Sequence, residues 1–214
     1  MNLKAVIFDM DGVITDTQHF HDAANAEILQ SYGASVTQED LAKYAGIPNK
    51  KVFQEIFNQY HITANIDEAL TKKWNLVKQR TKQIDSVPGI ISFIKNLSEK
   101  NILLAVASSC REDFISHVLE TLKITQYFSA VVSGDKLEKG KPYPDIFLFA
   151  AEKLSKKPEG CIVIEDAPAG VAAAKAAGMK CIAITTTHKL DQLKQADRII
   201  DSFSELTVDD IIRL

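Results

Sequence analysis

The second half of the chain alternates short apolar runs with helical patterns, and this alternation constrains the fold more than any other feature. An apolar run at 102–107 is followed by Phe114, Val118 and Leu122 at helical spacing. Further apolar runs occur at 130–132, 161–164, 181–184 and 199–200, and helices are predicted to open at Pro144 and Pro168. Strands that are apolar throughout and joined by helices form parallel sheets covered on both faces. The pattern therefore predicts an α/β protein with a doubly wound parallel sheet.

The segment 16–85 is helical in character and contains no convincing strand. Its apolar residues form three stripes at helical spacing: Phe20, Ala24, Ile28 and Tyr32; Val52, Ile56 and Tyr60; and Ile66, Leu70, Trp74 and Val77. Such stripes are typical of residues that pack in a core. We therefore expect a helical insertion at 16–85, with 1–15 and 86–214 forming the α/β core.

Composition and charge exclude several classes of function. The chain is 46% hydrophobic and 25% charged, as in ordinary globular proteins, and its formal net charge is -3. Because no block of lysine or arginine is long enough to follow a phosphate backbone, we expect no nucleic-acid partner. No apolar run reaches the roughly eighteen residues of a membrane span, and Asp9 interrupts the first apolar stretch, so export and membrane insertion are both disfavoured.

The three cysteines, Cys110, Cys161 and Cys181, are odd in number and lack the spacing of metal ligands. Two of them lie inside apolar runs that are predicted as strands. We therefore expect free thiols and a reducing, cytoplasmic environment.

Two acids end the first apolar run, 5–8. Asp9 and Asp11 follow this run, and Gly12 lets the chain turn sharply without a Cβ penalty. Residues two apart in an extended segment face the same side, so both carboxylates can reach one centre. Two carboxylates about 4 Å apart repel by roughly 4 kcal/mol at a surface-like dielectric. A cation, a shared proton or solvent must offset that repulsion.

Three other strand ends carry polar residues, and ligands of open α/β sheets bind at the carboxyl ends of strands. Ser108 and Ser109 precede a helix and suit an anion, although serines in loops are usually turn formers. Lys141 lies in a basic loop, where lysines usually face solvent. Glu165 and Asp166 repeat the pattern of acids at a strand end, although Asp166 alone could be a helix N-cap.

The four strand ends are more informative together than separately. Three or four acids and one lysine at the same sheet edge make a site for a hard cation beside a site for an anion. Mg²⁺ with a phosphate ester is the simplest combination that satisfies both. We therefore expect Mg²⁺ as cofactor and a small phosphorylated metabolite as partner.

These residues resemble the four ordered motifs of the haloacid dehalogenase-like (HAD) superfamily. The motifs are Asp9-Met10-Asp11-Gly12-Val13, Ser108, Lys141 and Glu165-Asp166. The resemblance covers essentially the whole chain. It implies a Rossmann-like core and an α-helical cap formed by 16–85, which closes over the site on hinges near 16–17 and 85–88.

The resemblance implies catalytic and metal-binding roles for the acids. Asp9 is expected to be the nucleophile that becomes an aspartyl phosphate, and Asp11 the general acid and base. Mg²⁺ would be held by Asp9, the backbone carbonyl of Asp11, and Asp166, with Glu165 as a direct or water-mediated ligand. Dehalogenases of the superfamily usually carry an aromatic residue in place of Asp11, which favours phosphoryl transfer here.

The resemblance also implies a phosphate-binding set. Ser108 is expected to donate to a phosphoryl oxygen, with Ser109 and Gly12 beside it. Lys141 would neutralise the transferring group and keep the nucleophile ionised. Lys139 is the alternative lysine if the register of the loop differs.

Within the superfamily the sequence is most similar to the β-phosphoglucomutase branch and its sugar-phosphatase relatives. The similarity lies in 11–17, 141–145 and 165–170, together with His21, which matches a cap-hinge histidine that helps to position Asp11. Asn49, in the stretch 46–51, stands where the mutases carry an arginine that grips a second phosphate. A nearby lysine, Lys50 or Lys51, does not reproduce a bidentate guanidinium.

The sequence therefore favours a Mg²⁺-dependent phosphatase acting on a sugar phosphate, as a monomer or weak homodimer. One alternative is a β-phosphoglucomutase, which moves phosphate through a bisphosphate intermediate. A second is a non-catalytic module that binds a phosphorylated partner. Such a module would usually have lost Asp9, Asp11 or the metal acids, and all are present.

Overall fold

The structure, a computed structural model, describes residues 5–44, 49–135 and 137–214. The strands are β1 Ala5–Phe8, β2 Leu103–Ser108, β3 Ala130–Ser133, β4 Cys161–Glu165, β5 Lys180–Ile184 and β6 Arg198–Ile200. The helices are α1 Gln18–Ser31, α2 Gln38–Ala42, α3 Asn49–Gln59, α4 Ile66–Arg80, α5 Ile90–Glu99, α6 Glu112–Thr121, α7 Asp145–Lys153, α8 Pro168–Ala176 and α9 Val208–Arg213. Contacts divide the chain into an α/β unit, up to Asp16 and from Ile84 onward, and a helical unit, Thr17–Gln83.

The α/β unit is built on one parallel sheet, which has six strands in the described part of the chain. Their order is β3-β2-β1-β4-β5-β6. The predicted doubly wound, Rossmann-like fold is therefore confirmed. The chain builds the sheet outward from β1 on one side and then crosses to β4 on the other. The carboxyl end of β1 is thus the switch point at which ligands of such sheets bind.

The core of the α/β unit explains why the strands are apolar on both faces. All four residues of β1 are fully buried, because helices cover the sheet. One hydrophobic cluster joins sheet residues such as Ile7 and Val163 to Phe147 of α7 and Val171 of α8. Each large side chain of this kind contributes about 1.5–3 kcal/mol on burial. The packing fixes the sheet, and so fixes the positions of the strand ends.

The helical unit has its own core and, in its described residues, no strand. Its buried cluster includes Leu29, Val52, Phe53, Ile56 and Ala69. Local signals set the helix starts: the Asn65 side chain accepts hydrogen bonds from the first turn of α4, and Thr37 forms a capping box at α2. The unit is therefore specified by its own amphipathic and capping patterns.

Two segments of the α/β unit lie side by side where the chain passes to and from the helical unit. Thr15 Oγ1 donates to the carbonyl of Asp85 at 2.9 Å, and the amide of Val87 donates to the carbonyl of Ile14 at 3.0 Å. Thr15 and Ser86 also form an isolated antiparallel bridge. The hinges expected near 16–17 and 85–88 adjoin these bonds, and their movement stays a prediction.

Cys110, Cys161 and Cys181 are buried and form no disulfide, as the sequence predicted. Of the helices in the described residues, none combines the length and apolar character that a bilayer crossing requires.

Candidate active site

The register of three neighbouring strands brings four predicted polar residues to one edge. Phe8 pairs with Val106 of β2 and with Ile164 of β4. Asp9 is therefore one residue beyond this level, Ser108 two beyond it, and Glu165 and Asp166 one and two beyond it. Adjacent strands are about 4.8 Å apart, so these side chains share one neighbourhood.

Lys141 links two of the acids at this edge. Its Nζ donates to Oδ1 of Asp9 at 2.5 Å and to Oε1 of Glu165 at 2.6 Å. The side chains are 9% exposed for Lys141, 10% for Asp9 and 1% for Glu165. The predicted lysine therefore lies beside the predicted nucleophile in a largely dry setting, whereas Lys139 lies over the ring of Tyr143 instead.

Glu165 holds this lysine in place because its own carboxylate is tied to the backbone. Its Oε2 accepts the amides of Asp166 and Ala167, each at 2.8 Å. A Cβ at Gly170 would lie 1.7 Å from Oε1 of Glu165, so only glycine fits there in α8. Both oxygens of Glu165 are thus engaged by Lys141 and the turn, an arrangement that favours water-mediated over direct contact with a cation.

Asp166 is held from the far side by the loop that follows β5. Thr187 Oγ1 donates to Oδ2 of Asp166. Gly12 has a φ of +81°, and a Cβ there would lie 2.1 Å from the same Oδ2. Gly12 is therefore required for its backbone conformation and for the close approach of the Asp166 carboxylate.

The charges at this edge do not balance within the protein. Burial raises the pKa of Asp9, and the charges of Glu165 and Asp11 add to that rise, against the opposing effect of Lys141. Burial, followed by the charges of Glu165 and Asp9, also raises the pKa of Asp166. Burial alone would lower the pKa of Lys141. The negative charges of Asp9 and Glu165 outweigh the effect of burial, so the pKa of Lys141 is raised. Negative charge therefore predominates.

A divalent cation fits this donor set. Asp9, Asp11, Glu165 and Asp166 carry four negative charges when ionised, and Lys141 returns one positive charge. Carboxylate and carbonyl oxygens are the ligands that hard cations such as Mg²⁺ prefer. A cation bound by Asp9 and Asp166 would relieve the repulsion that raises both of their pKa values.

Asp11 and Ser108 are connected through Cys110. The Cys110 thiol donates to Oδ2 of Asp11 at 3.2 Å, and the Cys110 amide donates to Oγ of Ser108 at 3.1 Å. Ser108 acts as the acceptor in that bond, so its own hydrogen can be donated to a ligand oxygen. Strand β1 ends at Phe8, so the strand alternation assumed from the sequence does not orient Asp11.

Two residues predicted for the site, Ser109 and His21, are not joined to the acids and Lys141 by the bonds described above. Ser109 is exposed beside buried Ser108, and no contact to the acids is described for it. His21 is a buried residue of α1 in the helical unit, where its Nδ1 lies 3.0 Å from Nζ of Lys73. Burial, then the charge of Lys73, holds the pKa of His21 well below its ordinary value. The lowered pKa favours the neutral form of His21.

The stretch expected to bind a second phosphate is only partly described. Gly46, Ile47 and Pro48 lie outside the described residues. Asn49 begins α3 and is half-buried. Lys50 pairs with Asp67 at 2.7 Å on the surface of the helical unit. Such an exposed pair contributes little energy and does not preorganise Lys50 for a phosphate.

Several residues at or near these groups were not identified from the sequence. They are Lys73, Cys110, Thr186, Thr187 and His188. Lys73 stands four residues from both Ala69 and Val77 and so belongs to the buried face of α4; this spacing was a readable signal. The sequence 185–188 follows the fifth strand, so the rule that located the other polar strand ends would also have found it.

Comparison with known proteins identifies the family to which the chain belongs. Residues 6–184 match the sequence profile described as haloacid dehalogenase-like hydrolase. The chain is 32% identical over 182 residues to a phosphorylated carbohydrates phosphatase of Thermotoga maritima, covering 84% of each protein. It is 33% identical over 215 residues to the β-phosphoglucomutase of Bacillus subtilis, covering 97% of this chain and 93% of that protein.

The fold comparison gives the same family. The crystal structure of a β-phosphoglucomutase from Clostridium difficile superposes with a TM-score of 0.86 at 28% identity, covering 98% of this chain and 95% of that one. The profile match alone covers well over half of the sequence. The resemblance inferred from the four motifs is confirmed. The chain belongs to the haloacid dehalogenase-like hydrolase family.

Proposed function

We propose that the protein is a Mg²⁺-dependent phosphatase that hydrolyses a small sugar phosphate through an aspartyl-phosphate intermediate. The observation that carries the proposal is the buried Asp9 carboxylate, paired with Lys141 at a sheet edge that also carries the buried Asp166. A phosphatase and a β-phosphoglucomutase among the relatives support sugar phosphates as the substrate class.

In the proposed reaction an oxygen of Asp9 attacks the phosphorus atom as the bond to the sugar oxygen breaks. Asp11 gives its proton to that departing oxygen, and the free sugar leaves. Asp11 then takes a proton from water, whose oxygen attacks the same phosphorus atom and releases inorganic phosphate. The carboxylate of Asp9 is thereby restored.

The remaining residues serve charge and orientation. Lys141 would face the anionic oxygens of the phosphoryl group, and Ser108 would donate a hydrogen bond to one of them. Glu165 positions Lys141 through the 2.6 Å contact. Asp9, the backbone carbonyl of Asp11, and Asp166 would hold Mg²⁺, which neutralises charge on the phosphoryl oxygens when bound. The segment 16–85, which carries His21 and Lys73, would act as a cap that excludes water.

Replacing Asp9 by Asn tests the mechanism, because it removes the nucleophile and keeps the shape of the side chain. Phosphate release from a panel of sugar phosphates with Mg²⁺ should fall about a thousandfold or more. The matched control is Asp191→Asn, at an exposed aspartate in the α/β unit, which should keep full activity. An Asp9→Asn protein with undiminished turnover would refute the aspartyl-phosphate route.

The second candidate function is the β-phosphoglucomutase reaction, which the identity and coverage of the Bacillus subtilis relative favour. Asn49 in place of the expected arginine, and the pairing of Lys50 with Asp67, weigh against it. β-Glucose 1-phosphate with a trace of glucose 1,6-bisphosphate separates the two functions. Accumulation of glucose 6-phosphate indicates the mutase, whereas free glucose with inorganic phosphate indicates the phosphatase.

A further inference from the structure

The loop after β5 brings two threonines to the acidic edge. Thr186 Oγ1 donates to the carbonyl of Gly12 at 2.5 Å, and Thr187 Oγ1 donates to Oδ2 of Asp166. The methyl group of Thr187 also lies 3.0 Å from the position of a Cβ at Gly12. This loop therefore contacts both chain segments that carry the acids, although neither threonine belongs to the four family motifs.

A count of hydrogens gives these contacts a direction. Thr187 Oγ1 lies 2.8 Å from Nδ1 of His188, and a hydroxyl has one hydrogen to donate. An ionised carboxylate only accepts, so the hydrogen of Thr187 goes to Asp166. The contact with His188 then requires a hydrogen on Nδ1. Two hydrogen bonds therefore follow one another: His188 Nδ1–H donates to Thr187 Oγ1, and the Thr187 hydroxyl donates to Asp166.

We propose that Thr187 is a positioning residue for Asp166, backed by His188 as its donor, and that it strengthens the binding of the divalent cation. The inference rests on the proposed function, since it takes Asp166 as a metal ligand. Partners of this kind fix the orientation of a ligating carboxylate and favour its ionised form. Because Thr187 engages Oδ2, Oδ1 would stay available to the cation.

The surroundings of Asp166 explain why such a donor matters. The Asp166 side chain is buried, so few water molecules can reach its oxygens. A buried polar oxygen needs a hydrogen-bond partner from the protein. The Thr187 hydroxyl is that partner for Oδ2, and the bond fixes the direction in which the carboxylate points.

Three variants isolate the Thr187 hydroxyl. Thr187→Val removes the hydroxyl and keeps the shape of the side chain, whereas Thr187→Ser keeps the hydroxyl. Thr185→Val is the matched control, because Thr185 lies in the same loop but donates its hydrogen to Asp201 instead. Thr187 is exposed, so its loss removes no core packing, and thermal melting without metal should match the wild type. Mg²⁺ affinity is measured by titration calorimetry on the resting protein without substrate.

The expected result is about tenfold to a hundredfold weaker Mg²⁺ binding for Thr187→Val. Thr187→Ser should stay within about threefold of the wild type, and Thr185→Val should be unchanged. Wild-type affinity in folded Thr187→Val would overturn this inference alone. A wild-type protein that takes up no Mg²⁺ at millimolar concentration would overturn the proposed function and the inference with it.

The direction of the hydrogen bond between His188 and Thr187 can be tested separately by spectroscopy. Nitrogen-15 shifts of His188 in the Mg²⁺-loaded wild type should report a hydrogen on Nδ1 and should change in Thr187→Val. A hydrogen confined to Nε2 in the wild type would overturn the role given to His188.

Discussion

Replacing Lys141 by Met tests whether the acidic edge depends on its buried ammonium. The change keeps the length and bulk of the side chain but leaves Asp9 and Glu165 without the partner that lies 2.5 and 2.6 Å away. Removing one member of a buried ion pair costs about 3–5 kcal/mol, because a charge stays buried and uncompensated. We expect a loss of that size in the free energy of unfolding at pH 8.5 in EDTA.

The loss should depend on pH in a defined direction. The ordinary pKa of Asp9 is 3.8, and in the folded wild type burial and acidic neighbours raise it to about 7 against the effect of Lys141. Between these values the folded protein holds a proton that the unfolded chain has released, so stability falls as pH rises. Without Lys141 the folded pKa is higher still, and the fall continues above pH 7. Above pH 7 the stability deficit of Lys141→Met relative to the wild type should therefore grow by up to about 1.4 kcal/mol per pH unit.

The assay is urea unfolding, followed by circular dichroism at pH 6, 7 and 8.5 in EDTA. Lys175→Met is the matched control, because Lys175 pairs with Asp197 and is 37% exposed. It should cost no more than about 1 kcal/mol, with little change over this range. A Lys141→Met protein as stable as this control at pH 8.5, or one whose deficit shrinks as pH rises, would refute the reasoning.

Two further predictions concern positions outside the lysine pair. Gly170→Ala should destabilise the protein by about 1–3 kcal/mol and reduce phosphate release, because its Cβ displaces the Glu165 carboxylate from its backbone amides; unchanged unfolding in urea would contradict this. Asp197→Asn should cost about 1–2 kcal/mol at pH 7, since Asp197 accepts from Lys175, Lys180 and a buried amide. Burial alone would raise the pKa of Asp197, but these donors lower it, so the deficit should vanish as pH falls below 3.8; a deficit that persists in acid would contradict the electrostatic explanation.

Much of the fold could be predicted because its signals are local. The apolar run at 102–107 became β2, Leu103–Ser108, and the helix expected to open at Pro168 is α8, Pro168–Ala176. The order of the strands, β3-β2-β1-β4-β5-β6, was not predicted, because periodicity along the sequence does not show which strands pair. The predicted boundaries differ from the observed ones by a residue or so, which is the usual scatter at the ends of elements.

The site could be predicted where charged residues occur in otherwise apolar segments. Acids at the ends of apolar strands, such as Asp9 and Asp166, are costly in a core and therefore conspicuous. Thr187 was missed because threonines in loops are ordinary turn formers. Its position after a strand places it at the sheet edge, but its bond to Asp166 is seen only in the structure. Lys73 was missed because a lysine beside another lysine suggests a solvent-facing helix surface, although it is fully buried.

The central place of β1 in the sheet has a consequence for how the protein matures on the ribosome. β1 pairs with β2 on one side and with β4 on the other, but β4 is made only after most of the chain has emerged. The sheet edge that carries Asp9 therefore stays incomplete while the intervening elements are made and fold. An incomplete nascent chain holds Asp9, the proposed nucleophile, without Asp166 or Thr187. We therefore expect it neither to bind the proposed cation nor to hydrolyse a phosphate ester until synthesis has passed β5.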